Sequence, residues 1–221
     1  MKAVLAIAIL LVTFVAASAQ NEQAPLLEKE ISYKNWTLKD VRTGEDRELR
    51  KMIAGKKLVM VIYYAPWCGN WQYDLRFLNK FYEKYKGDGL EIIGVGHYDP
   101  VATMKSNLEQ FKIAFPLVYA SEARGDRLLT DHYKYRTQTG DTRKWGSPWY
   151  IFIDPAKVSA KGDTLLTKTH IINGEMIEHE GEKFIRQKLG LPATETKVVV
   201  ASNDKIEVCD PAKPDTSLKK P

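Results

Sequence analysis

Lys57-Leu58-Val59-Met60-Val61-Ile62-Tyr63-Tyr64-Ala65-Pro66-Trp67-Cys68-Gly69-Asn70-Trp71 is the stretch on which the fold turns. The unbroken β-branched and aromatic run after Lys57 has the pattern of a strand covered on both faces, which predicts a central parallel strand. Apolar residues then recur at Trp71, Leu75, Leu78, Phe81, Tyr82 and Tyr85, at the spacings of three and four that mark an amphipathic helix. Cys68 therefore falls at the start of that helix, where unpaired backbone N–H groups and the macrodipole favour negative charge. A thiolate is stabilised in such a place, and the usual effect is a thiol pKa below about 8.5. A lone cysteine more often serves as a small buried apolar residue. The order strand, tight turn, cysteine, helix favours the chemical reading over that one.

Working outward, residues 90–96 read as the next strand, 101–111 as a helix and 115–119 as another strand. Residues 120–146 are rich in charge, Thr and Gly, with one helix expected near 126–133. Residues 149–154 form a strand entered by Ser147-Pro148, 164–172 its partner, and 180–189 a closing helix. Upstream, residues 36–41 read as a strand and turn, and 47–54 as a short helix ended by Gly55. The alternation predicts an α/β fold with right-handed crossovers. The domain is expected to span residues 35–192, after a lead-in over 20–34 and before a polar tail over 193–221. In that tail only residues 198–200 and 206–208 have a pairing pattern.

The composition suits one good-sized core or two small ones: 221 residues, 44% hydrophobic and 28% charged. Fourteen glycines and ten prolines follow no period, and two cysteines do not make a disulfide scaffold, so collagen, coiled coil and knottin are excluded. The one long apolar run is N-terminal, which excludes a polytopic membrane protein. Lys2, the apolar residues 3–17 and Ala17-Ser18-Ala19 have the anatomy of a secretory signal over residues 1–19. The apolar run is short for an uncleaved anchor, and no cysteine follows it to carry a lipid. The expectation is a mature chain from Gln20, periplasmic or extracellular, with no stable membrane anchor. Cleavage removes Lys2 and lowers the formal charge from +5 to +4. Basic residues alternate with acids, as in Lys80, Glu83, Lys84, Lys86 and Asp88, so no nucleic-acid partner is expected.

Ser147-Pro148 directly before a buried strand is a candidate cis peptide, the alternative being a trans proline at a strand entry. With that element in place the chain resembles a known family. Ala65-Pro66-Trp67-Cys68 is similar to the Trp-Cys entry of thioredoxin-like proteins, and Gly146-Ser147-Pro148 to their cis-proline loop. The order from Trp36 to about Leu189 resembles the exported TlpA-like, or redoxin, branch of the alkyl hydroperoxide reductase and thiol-specific antioxidant superfamily. The resemblance implies a thioredoxin-like fold, a central mixed β-sheet flanked by helices. It implies Cys68 as nucleophile in thiol-disulfide exchange and a substrate groove of Trp67, Gly69, Asn70, Trp71, Ser147 and Pro148. Protein thiols or disulfides and an external thiol reductant are the implied partners, with hydroperoxides as a further substrate class and no cofactor.

Two departures qualify this. Trp71 stands where the family's Cys-x-x-Cys motif has its resolving thiol, so a mixed disulfide at Cys68 has no local thiol to release it. Ala65 stands where a peroxiredoxin has Thr or Ser, which weakens a peroxidase reading. The other cysteine, Cys209, has acids beside it that raise a thiol pKa. It is open to four readings: a resolving thiol, half of a structural bridge to Cys68, an intermolecular bridge, or an incidental tail thiol.

His97, after the strand at 90–96, is a candidate proton carrier for the thiol, although a loop histidine facing water is the blander expectation. Trp67, Trp71, Trp145 and Trp149 are candidates to line an apolar groove around Cys68, with core packing the alternative for Trp71. His132, His170 and His179 show no ligand spacing, and no metal site is expected. The leading expectation is an exported thiol oxidoreductase. Its rivals are a redox-inactive binding or chaperone-like module and an inert domain with a permanent bridge.

Overall fold

The computed structural model of the chain describes residues 22–192. In chain order the elements are β1 (Gln23–Ala24), β2 (Leu27–Lys34), β3 (Thr37–Asp40), β4 (Asp46–Glu48), α1 (Leu49–Met52), β5 (Leu58–Tyr64) and α2 (Gly69–Tyr85). There follow β6 (Leu90–Gly96), α3 (Val101–Gln110), β7 (Leu117–Tyr119), α4 (Asp131–Gln138), β8 (Trp149–Ile153), β9 (Thr164–Ile172), β10 (Glu175–Met176) and α5 (Glu178–Leu189). Eight strands form one mixed sheet in the order β2-β9-β8-β5-β6-β7-β3-β4, and β1 pairs with β10 in a separate parallel ribbon. β5 runs parallel to β6 and antiparallel to β8.

The reason β5 sits centrally is visible in its side chains. All seven residues are buried, and because a strand alternates faces, Met60, Ile62 and Tyr64 enter one core while Val59, Val61 and Tyr63 enter the other. The first core holds the apolar stripe of α2 together with Phe184, Ile185 and Leu189 of α5. The second is closed by Leu49, Ile53 and Tyr135. Each large side chain buried completely contributes about 1.5–3 kcal/mol, so α2 is held by its inward stripe rather than by its exposed face. This is the thioredoxin-like fold, with helices on both faces of a central mixed sheet.

Two expectations are corrected. The lead-in over residues 20–34 is not separate from the domain: β1 and β2 lie within it, and β2 pairs with β9 along the edge of the main sheet. As an edge strand it buries Ile31 and Tyr33 while most of the rest is exposed, too short an alternation to read as a strand. The helix expected near 126–133 is two elements, a 3-10 turn at Arg124–Leu128 and α4. Thr130 separates them by accepting the Tyr133 N–H on its hydroxyl (3.1 Å), a side-chain cap that restarts the helix. Among the described residues no helix is long and apolar enough to cross a membrane. Residues 1–19 and 193–221, including the patterns at 198–200 and 206–208, lie outside the described residues.

Candidate functional site

The turn after β5 and the loop before β8 meet because their strands are neighbours. The Cys68 N–H donates to the Ala65 carbonyl (3.0 Å), and the Ala65 N–H donates to Ser147 Oγ (2.9 Å). Cys68 is the N-cap residue of α2, in extended backbone and fully buried. Its Sγ lies 3.2 Å from the Ser147 carbonyl oxygen, and the Ser147–Pro148 peptide bond is cis. Cys68 is in the disulfide-bonded state, so this approach is packing here and offers an acceptor to the thiol on reduction. The chain's other cysteine, Cys209, lies outside the described residues. No side chain caps the α2 N-terminus and no acid lies in its first turn, which leaves the positive end of the helix turned toward Cys68. Gly69 opens that first turn.

The other tryptophans divide. Trp71 is wholly buried, stacked on Tyr64 with ring centroids 4.3 Å apart, and donates its indole N–H to Asn107 Oδ1 (3.1 Å). Asn107 in turn donates to the Pro66 carbonyl (3.2 Å), so Trp71 braces the turn from inside. Trp149 is buried in the opposite core. Neither lines a groove, since both were drawn inward by the packing of their own elements. Trp67 is half-buried and Trp145 buried at the rim of the first core, in an edge-to-face pair 5.2 Å apart. Arg124 lies over Trp67 at 5.4 Å, and Arg127 and Lys144 over Trp145 at 5.5 and 5.7 Å.

His97 does not face water. It is buried, with Nδ1 3.2 Å from Ser121 Oγ and its ring against Tyr63, Tyr98 and His132. Burial pushes its pKa down to about 3, so the neutral ring is favoured around pH 7. His132 is the histidine that reaches the proline loop: Nε2 lies 3.1 Å from the Gly146 carbonyl and Nδ1 2.8 Å from the Tyr98 hydroxyl. Burial, followed by the neighbouring His97, holds it well below its ordinary pKa. The neutral ring therefore donates from Nε2 and accepts from Tyr98. Gly146 itself has φ +60, and a Cβ there would fall 2.3 Å from Arg136 Cδ, so only glycine fits.

A set of buried polar residues behind Cys68 went unnoticed in the sequence. Arg143 binds both oxygens of Asp141, donates to the Pro148 carbonyl (2.8 Å) and reaches Glu22 (3.1 Å). Glu22 also accepts from Asn70 Nδ2 (2.6 Å). Burial opposes the Arg143 charge, but the bonds to Asp141 and the charge of Glu22 outweigh it and hold the guanidinium above its ordinary pKa. Glu22 arrives through β1: Glu175 N–H donates to the Glu22 carbonyl (3.0 Å), and a Cβ on Gly174 would lie 2.1 Å from that carbonyl. Beside it, Asp74 accepts the Tyr150 hydroxyl and the Met176 N–H. Burial raises Asp74 well above the carboxylate range, and raises Glu175 to about 7 with help from Glu22. The signal was faint. Asp74 sits one turn beyond Asn70 on the apolar stripe of α2, a polar residue at a core position. Among the described residues no group of three or more His, Cys, Asp or Glu is arranged to hold a metal.

The fold and the meeting of Cys68 with a cis-proline loop define a thioredoxin-like redoxin. The sequence profile of the AhpC/TSA family matches residues 31–160, more than half of the chain, and the chain belongs to that family. Among curated proteins it is 30% identical over 84 residues to the thiol-disulfide oxidoreductase ResA of Halalkalibacterium halodurans, covering 38% of this chain and 46% of that protein. It is 29% identical over 62 residues to ResA of Geobacillus kaustophilus, covering 28% and 36%. The chain thus spans less than half the length of these relatives. Among solved structures it is similar in fold to a putative thiol:disulfide interchange protein DsbE from Chlorobium tepidum, with a TM-score of 0.51 and 19% identity over 73% of this chain and 98% of that one. A DsbF homologue from Corynebacterium diphtheriae gives a TM-score of 0.51 at 14% identity, over 72% and 92%.

Proposed function

We propose that this chain is an exported thiol-disulfide oxidoreductase in which Cys68 is the nucleophile and the Ser147–Pro148 loop receives the substrate. The observation that carries the reading is Cys68 Sγ at the N-terminus of α2, 3.2 Å from the Ser147 carbonyl on the cis-proline loop. The helix end favours the thiolate, and the loop offers an edge against which an extended chain docks beside the sulfur. Family membership and the ResA and DsbE likenesses agree with this chemistry. Export rests on the signal pattern in residues 1–19.

The reaction balances as two exchanges. The Cys68 thiolate attacks one sulfur of a substrate disulfide, forming a mixed disulfide and releasing one substrate thiolate. The Cys209 thiolate then attacks Cys68 Sγ, releasing the second substrate thiolate and leaving a Cys68–Cys209 disulfide. Two electrons and two protons from an external thiol reductant restore both thiols. The disulfide-bonded state of Cys68, in a chain with two cysteines, supports Cys209 as the partner. Ala65 supplies no hydroxyl for a peroxide, which places disulfides ahead of hydroperoxides as substrate.

The test uses the mature chain, glutathione and a disulfide-bonded protein substrate. Cys68→Ser is expected to abolish exchange, and Cys209→Ser to accumulate mixed disulfides at Cys68. Full exchange by Cys68→Ser would sink the reading. A second reading, a binding module without a redox cycle, is favoured by Trp71, which fills the resolving position with core. Under it, Cys68→Ala binds partners as well as the parent does, and Cys209→Ser traps nothing.

A further inference from the structure

The three cations over the Trp67–Trp145 pair have no assigned use. The edge-to-face rings stand next to Cys68 in sequence and beside the Ser147 loop, with Arg124, Arg127 and Lys144 over them. None of the three cations forms an ion pair with a carboxylate among the described residues, and neither indole N–H has an acceptor there. The surface thus presents positive charge over the half-buried Trp67 ring, next in sequence to Cys68, while both indole N–H groups lie beneath it. Its complement is an extended strand that is apolar, acidic and carries a cysteine.

The chain contains a sequence with that chemistry. Asp204-Lys205-Ile206-Glu207-Val208-Cys209-Asp210 combines apolar Ile206 and Val208 with three acids, two of which, Glu207 and Asp210, lie within two residues of its cysteine. Sixteen residues, 193–208, lie between Pro192, the last described position, and Cys209. A flexible tether of that length has an r.m.s. span of about 20–25 Å and a maximum of about 60 Å. The folded body has a radius of gyration of about 15 Å, so its diameter of about 40 Å is shorter than the tether's maximum span. We propose that residues 204–210 dock on the Trp67–Trp145 face, their acids against Arg124, Arg127 and Lys144, and that this docking presents Cys209 to Cys68. The inference rests on the Cys68–Cys209 pairing proposed above and goes beyond it: a tether alone makes the pair meet at random, whereas a docked strand delivers the resolving thiol by recognition.

The experiment equilibrates the mature chain with a glutathione redox buffer and measures the bridged fraction by alkylation and mass. Glutathione disulfide takes the two electrons and two protons released when the bridge forms. Exposed ion pairs each contribute modestly and are screened by salt. Arg124→Glu with Arg127→Glu is therefore expected to lower the bridging constant on the order of tenfold at low salt, as is Glu207→Lys with Asp210→Lys. The combined charge swap should recover most of the loss. Equal bridging in all four proteins overturns the docking and leaves the pairing standing. A bridge found only between two copies overturns it as well, making a second chain the occupant.

A further arm works without sulfur chemistry. In the Cys68→Ala, Cys209→Ala protein, trypsin cleavage after Lys205 reports the undocked population, with Lys197 as the internal reference. Docking predicts protection of Lys205 at low salt that is lost at high salt and in Glu207→Lys with Asp210→Lys. Protection here with no bridge in the parent upholds the docking and refutes the pairing. Equal cleavage at both salts refutes the docking.

Discussion

Two polar networks lie behind Cys68, and they are built on opposite rules. Around Arg143 donors and acceptors are matched: Asp141, Glu22 and the Pro148 carbonyl all receive its guanidinium. Around Asp74 and Glu175 acceptors outnumber donors. Asp74 Oδ1, Asn70 Oδ1 and both Glu175 oxygens have no partner, and Glu175 is completely buried. The first network can stay charged, because each charge is met. The second cannot do so cheaply, since an unpaired buried carboxylate is expensive, and its acids respond by holding their protons. One network is a tie between β1 and the proline loop, and the other is a reserve of protons next to it.

The largest expected effect comes from breaking the tie. Arg143→Met keeps the length of the side chain and removes the charge, leaving buried Asp141 with Arg136 at 3.7 Å as its remaining cation and the Pro148 carbonyl without this donor. Breaking an isolated buried pair costs about 3–5 kcal/mol, and with Arg136 still facing Asp141 the loss should fall at about 3 kcal/mol, the low end of that range, to be read as a lower urea midpoint at unchanged slope. Arg143→Lys should recover only part of it, because a point charge cannot serve a bidentate carboxylate and a carbonyl together. A loss under about 1 kcal/mol would mean that the network behaves as a surface ion pair.

The two networks also differ in how far the sequence announces them. β5, the stripe of α2 and the Cys68 turn are legible because periodicity and turn chemistry are local. Trp71 could be assigned to the core or to a groove until Tyr64 and Asn107 were placed around it. Glu22 lies more than a hundred residues from Arg143 and Glu175 along the chain, all three in segments with no apolar period, and the pairing of β1 with β10 brings Glu22 to the other two. His97 misled for a related reason: its position after a strand suggests solvent, while the packing of Ser121 and His132 over it is a tertiary event. The edge strand β2 was missed because half-exposed strands carry half the pattern.

Glu175→Gln tests the second network and sharpens the contrast. A buried acid raised from 4.5 to about 7 binds its proton more tightly when folded, so its contribution to stability is greatest below pH 4.5 and is lost as pH rises toward 7. His97 and His132 act in the opposite sense: their lowered values make stability rise with pH up to the unfolded value near 6.5. The difference between parent and Glu175→Gln cancels the histidines. Between pH 4 and pH 8 the variant should gain on the order of 2–3 kcal/mol relative to the parent. The groups that act on Glu175 are Glu22, which raises it, and Arg143 and Arg76, which lower it. A pH-independent difference would show that folding leaves the pKa of Glu175 unshifted.

Glu22→Gln is the smallest perturbation and the one that joins the two networks. Glu22 accepts from Asn70 and Arg143, so the amide keeps an oxygen for them and loses only the charge. Charge-assisted bonds are roughly twice as strong as neutral ones, which sets the direct cost at about 1 kcal/mol. The more telling readout is indirect. Because the Glu22 charge is the largest influence on Glu175 after burial, removing it should move the Glu175 transition, followed through the Glu175→Gln difference in each background, to lower pH. An unmoved transition together with the expected stability loss would show that Glu22 belongs to the Arg143 tie alone, and that the proton reserve is set by burial with no reference to the loop beside Cys68.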